Sequence, residues 1–143
     1  MNKQTKRSWN FIFALVWAAL VPAAVNAEVA VIAHPSQNLT VSPDELERIF
    51  LGKLKQVDGQ SIVPINLKMG SPVRKDFNEK VLGKTESQLK SYWSRLVFTG
   101  KAQPPKDVES ESEMLELIAR NPNMVGYIDK SNLTPAVKLI ASF

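Results

Sequence analysis

The stretch Ser61-Ile62-Val63-Pro64-Ile65-Asn66-Leu67-Lys68-Met69-Gly70-Ser71-Pro72-Val73-Arg74-Lys75-Asp76-Phe77 carries three kinds of signal in one run. Ser61 to Leu67 is apolar and rich in β-branched residues, which predicts a strand, and Pro64 points to an edge or bulged position within it. Gly70 is turn chemistry. Ser71-Pro72 is a helix start, with a side-chain cap followed by proline at the first helical position. The helix it opens is expected to face inward through Val73, Phe77, Val81 and Leu82 and to stop at Gly83. A strand that turns directly into a helix is half of a βαβ unit.

Similar units flank it. Upstream, Glu28 to Ala33 reads as a buried strand closed by His34-Pro35. Ser42-Pro43-Asp44-Glu45 is a capping box opening a helix whose inner side is Leu46, Ile49 and Phe50 and whose stop is Gly52. Asp58-Gly59 marks a turn. Downstream, Thr85 with Gln88 opens a helix through Leu89, Tyr92, Trp93, Leu96 and Val97 that ends at Gly100, and Lys101 to Val108 is expected to be an extended surface loop around Pro104-Pro105. Ser110 to Glu113 caps a fourth helix bearing Met114, Leu117 and Ile118. Asn121-Pro122-Asn123 turns into a strand over Met124 to Ile128, and Val137 to Ala141 is the last strand. Strands alternating with helices predict an α/β architecture with a mostly parallel sheet.

Met1 to Ala27 reads as a secretory signal. Lys3, Lys6 and Arg7 precede the apolar run Phe11 to Val21, Pro22 ends it, and Val25-Asn26-Ala27 supplies small residues for cleavage before Glu28. The run is shorter than the ~20 residues of a spanning helix, so no stable membrane insertion is expected after cleavage. Residues 28–143 are then one domain in the periplasm. That portion holds fifteen Lys and Arg against fourteen Asp and Glu, a net of +1, so net charge implies neither nucleic acid nor an anionic membrane as partner. There is no cysteine, which excludes disulfides, thiol catalysis, thiolate metal sites and a lipidated N-terminal cysteine.

The chemistry-bearing candidates are few. Arginine and lysine at positions 74 and 75 fall in the first turn of a helix, where the dipole disfavours cations by ~0.3–1 kcal/mol unless an anion sits there. A phosphate-like oxyanion held by Gly70, Ser71, Arg74 and Lys68 is one reading; solvated cations beside Asp76 and Glu79 are the other. On the first, Arg74→Ala is expected to weaken phosphate binding while leaving stability nearly unchanged or slightly raised. His34 is the only histidine, follows a strand, and with Ser36 is a candidate for lining the same pocket. It has no partners for a metal site. Trp93, Tyr92 and Phe98 have the helical spacing of core residues, and Glu109, Glu111, Glu113 and Glu116 suit a solvated helix start. No cofactor or catalytic group is expected.

The order VAVIAHP, SPDELERIFLGK, DGQSIVPINLKMGSPVRKDF and NPNMVGYID, from Val29 to Asp129, resembles the periplasmic phosphate-binding proteins that serve ABC transporters. The resemblance implies a type 2 periplasmic-binding-protein-like fold, here a single lobe-sized domain of a family whose members have two. It implies inorganic phosphate or a similar oxyanion as ligand, an ABC transporter membrane component or another envelope protein as partner, and no enzymatic activity. Family members bind phosphate with a Gly-Ser-Gly-Thr run. Here it reads Gly70-Ser71-Pro72-Val73, so Ser71 carries over while Pro72 lacks an N–H and Val73 a hydroxyl. A ligand-free module that recognises another envelope protein is the alternative.

Overall fold

The computed structural model describes residues 27–143; the expected signal sequence, apart from Ala27, lies outside the described residues. Element order is β1 (Val29–Ala33), α1 (Pro43–Phe50), β2 (Gln56–Val57), β3 (Gln60–Ser61), β4 (Val63–Leu67), α2 (Pro72–Lys80), α3 (Glu86–Phe98), β5 (Lys106–Val108), α4 (Glu111–Arg120), β6 (Met124–Asp129), a 3₁₀ turn (Lys130–Asn132) and β7 (Lys138–Ser142). Each α-helix starts on the cap its sequence announces. The boxes at Ser42 with Glu45 and Thr85 with Gln88 both close in the two directions, and Ser71 and Ser110 each accept the N–H three residues on.

The main sheet has the order β5-β4-β6-β1-β7. β4 runs parallel to both β5 and β6, whereas β1 runs antiparallel to β6 and to β7. Four of the five strands therefore point one way, and β1 alone is reversed. β2 and β3 form a small separate hairpin across Asp58-Gly59. No helix of the described residues is long and apolar enough to cross a membrane.

Helices cover both faces. In β6, Gly126 and Tyr127 are consecutive and so face opposite sides. Met114 of α4 lies so close to Gly126 that any Cβ there would overlap its sulfur. On the other side Phe77 of α2 stacks on the Tyr127 ring at 3.9 Å, and Phe50 of α1 meets the edge of Phe77 at 4.6 Å. All five residues of β1 are buried, as a strand with neighbours on both edges and helices on both faces requires.

Two local expectations are corrected. Pro64 lies in β4, the second strand of the sheet rather than its edge. It is accommodated because Val63 N–H points to Asn123 on the β6 side, so the proline nitrogen faces the other way, where pairing with β5 begins only at Ile65. In α3 only Leu89 is fully buried; Tyr92 and Trp93 are half-buried, and Phe98, expected in the core, is 92% exposed.

Candidate functional site

β4 delivers the chain to Lys68, Gly70 takes φ +84, and Ser71 then caps α2. A left-handed residue here turns the chain sharply from strand to helix, which glycine does without steric cost. The resulting helix end is already well supplied. Ser71 Oγ accepts from Arg74 N–H at 3.4 Å, Ser71 carbonyl accepts from Lys75 N–H, and Ser71 N–H donates to Lys68 carbonyl. Pro72 has no N–H, so Val73 N–H and the Ser71 hydroxyl proton are the donors left for a ligand. Lys68, at the rim, is ion-paired at 3.3 Å to Glu109, with both side chains mostly exposed.

Arg74 is where sequence reasoning and structure part. Its side chain is buried, with only a tenth of its surface exposed. Nε and Nη2 donate to the two carboxylate oxygens of Glu86 at 3.2 and 2.8 Å, a forked pair. Nη1 donates to Leu67 carbonyl at 2.6 Å and to Asp107 Oδ1 at 3.0 Å. Asn78 adds a bond to Glu86 at 2.7 Å. The guanidinium therefore clamps β4, β5 and the start of α3 to α2. It is neither a solvated cation nor free to grip an anion at Ser71. Its removal strands two carboxylates, so the expectation of an unchanged or raised stability for Arg74→Ala is reversed.

Beneath this clamp Tyr127 Oη accepts from Leu67 N–H at 3.3 Å and donates to Asn66 Oδ1 at 3.2 Å. Burial pushes its phenol far above the ordinary tyrosine range. Asn66, Asn78, Glu86, Asp107 and Tyr127 were not singled out from sequence. No spacing rule links them, because the partners of Arg74 come from a helix start and a short edge strand that the fold alone brings together.

His34 and Ser36 are not part of this site. The reversal of β1 puts Ala33 opposite Val125, and Val125 is opposite Pro64 at the start of β4. His34 thus leaves the sheet at the end where β4 begins, while Ser71 lies beyond the end where β4 finishes. His34 and Ser36 bond to each other, Nδ1 to Oγ at 2.7 Å, in a local turn.

Beside the clamp lies a cavity of about 830 Å³, an open groove between α3 and the chain leading into β5. Its walls are mainly apolar and include Met69, Trp93, Val97, Phe98 and Pro104; Arg74, Glu86 and Asp107 form part of its floor.

No protein-family description matches the sequence, and no curated protein does. Solved structures do match the fold. An ABC-type phosphate transport receptor from Vibrio cholerae superposes with a TM-score of 0.63 at 21% identity, over 82% of this chain and 50% of its own. A putative phosphate ABC transporter substrate-binding protein with bound phosphate from Clostridium perfringens gives 0.60 at 20% identity, over 80% and 45%. PstS from Borrelia burgdorferi gives 0.51 at 23% identity, over 71% and 41%. The chain spans half the length of these receptors or less. What it shares with them, across most of its own described residues, is the periplasmic-binding-protein-like α/β fold of phosphate transport receptors.

Proposed function

We propose that this chain is a one-lobed counterpart of the phosphate receptors, exported to the periplasm by cleavage after Ala27, which recognises phosphate or a similar small oxyanion and performs no catalysis. The observation that carries the reading is the fold it shares with phosphate transport receptors. The anion would sit at the start of α2, against the Ser71 hydroxyl and Val73 N–H, with Gly70 leaving room for approach and Lys68 swinging in from Glu109. Arg74 acts there as a positioning residue, holding the strand–turn–helix in place. An open one-lobed site keeps water around the charges, where a pair at 4 Å gains only about 1 kcal/mol. Affinity near ~1 mM, or about −4 kcal/mol, is expected.

Titration of the purified protein with phosphate by NMR tests this. Shifts should concentrate at Gly70 to Val73, and Ser71→Ala and Lys68→Ala should each weaken them. No response in the millimolar range, or one indifferent to both substitutions, would refute the site.

A second reading is favoured by one observation. Phe98 stands 92% exposed at the rim of an apolar groove, as on a surface made to be covered by protein. On that reading the lobe is an accessory module of the cell envelope without a small ligand.

A further inference from the structure

We infer that the groove between α3 and β5 is a self-association surface, covered in solution by a second copy of this chain about a two-fold axis. The inference develops the protein-recognition reading and is independent of phosphate.

A two-fold interface requires one patch to be complementary to itself. This one carries a knob and a hole side by side. Phe98 projects from the last turn of α3, and the cavity of about 830 Å³ opens next to it between Trp93, Val97 and Pro104. A two-fold operation can place each Phe98 in the other copy's groove.

Charge on the same patch is also self-complementary. Lys90 and Lys106 line the groove, are exposed, and make no ion pair among the described residues. Glu86 and Asp107 lie on the floor with 35% and 45% of their side chains exposed, and Asp107 Oδ2 has no hydrogen-bond partner among the described residues. Each copy thus offers unpaired cations and one half-used carboxylate, that of Asp107, while both oxygens of Glu86 are taken by Arg74 and Asn78. Antiparallel juxtaposition brings one copy's lysines to the other's acids, whereas a strongly acidic or strongly basic partner would meet like charge on one half of the patch. A net of only +1 over residues 28–143 adds little global repulsion between copies.

Sedimentation equilibrium of the purified protein over a concentration series, without phosphate, reads the outcome directly. The wild type should show a monomer–dimer equilibrium that weakens with added salt. Phe98→Glu should weaken it by roughly a hundredfold or more, because the two-fold buries two aromatic side chains, one from each copy. Because Phe98 is exposed in the single chain, its circular dichroism should not change, nor should its melting temperature at concentrations where both proteins are monomeric. Ser94→Arg, a second exposed groove position, should act alike. A wild type that stays monomeric at every concentration overturns the inference, as does a dimer untouched by both substitutions. Loss of phosphate binding in the titration above would leave this result unaffected.

Discussion

Helices α1 and α3 begin with the same device and end in opposite situations. Both open on a capping box that closes in both directions. α1 is eight residues long and buries Leu46, Ile49 and Phe50; α3 is thirteen and buries Leu89 alone. α1 lies along the sheet, where Phe50 meets the rings of Phe77 and Tyr127. α3 is held at its first turn by Glu86 and in its middle by Tyr92 and Trp93, and its last turn leaves Val97 and Phe98 exposed. Caps report where a helix starts. They carry no information about what lies beside its far end.

The largest expected effect follows from pairing two phenylalanines. Phe50→Ala should cost ~3–5 kcal/mol, as loss of a fully buried ring does, whereas Phe98→Ala should stay within ~0.5 kcal/mol in the monomer. Thermal and urea melts of the two variants decide it. Equal losses would mean that α3 packs in solution as α1 does.

Next comes the clamp that ties α3 to α2. Arg74→Ala should destabilise by about 1–3 kcal/mol, below the ~3–5 kcal/mol of a fully buried pair because Glu86 and Asp107 reach solvent. Hydrogen exchange should rise first in the opening turn of α3. A neutral or stabilising outcome would restore Arg74 to the solvated cation its helix position suggested. Tyr127→Phe is comparable or smaller, about 1–3 kcal/mol, since Leu67 N–H and Asn66 Oδ1 lose their shared partner while the ring stack remains. If melts show no loss, water has replaced the hydroxyl.

The smallest effect separates the two capping boxes by pH. In α1 the returning group is Glu45, whose carboxyl is held below the usual glutamate range chiefly by the Ser42 backbone N–H. In α3 it is Gln88, which does not titrate. A depressed carboxyl contributes stability that is present above its unfolded pKa and is lost as pH falls through the folded one. Acidification below the glutamate range should therefore open the capping box of α1 and leave the Thr85–Gln88 box of α3 closed, as read from exchange of the Ser42 and Thr85 amides that each box protects. Glu45→Gln should abolish the difference.

Much of the fold was legible because its signals are local. The caps at Ser42, Ser71, Thr85 and Ser110, the turn at Asp58-Gly59 and the β-branched runs each act within a few residues. The reversed direction of β1 was not legible, since nothing in Val29 to Ala33 says which strand will lie beside it. The same gap misplaced His34 and Ser36, whose position depends on that direction. Arg74 was singled out for its place in a first helical turn, but its role depends on Glu86 and Asp107, which arrive from other elements. Phe98 followed helical spacing, and spacing gives the face of a helix without the extent of what it faces.

The direction and pairing of β1 also bear on the timing of folding. Val29 to Ala33 emerges from the ribosome long before both of its hydrogen-bonded neighbours, Met124–Asp129 and Lys138–Ser142. Val29 and Asp129 pair across a hundred positions. Until those residues are made, the most buried strand of the sheet has no partner and the domain cannot close. A domain that can close only once β7 is made stays extended until then. Nascent chains halted before Met124 should accordingly remain open to protease along their whole length, and those extended past Ser142 should become resistant together.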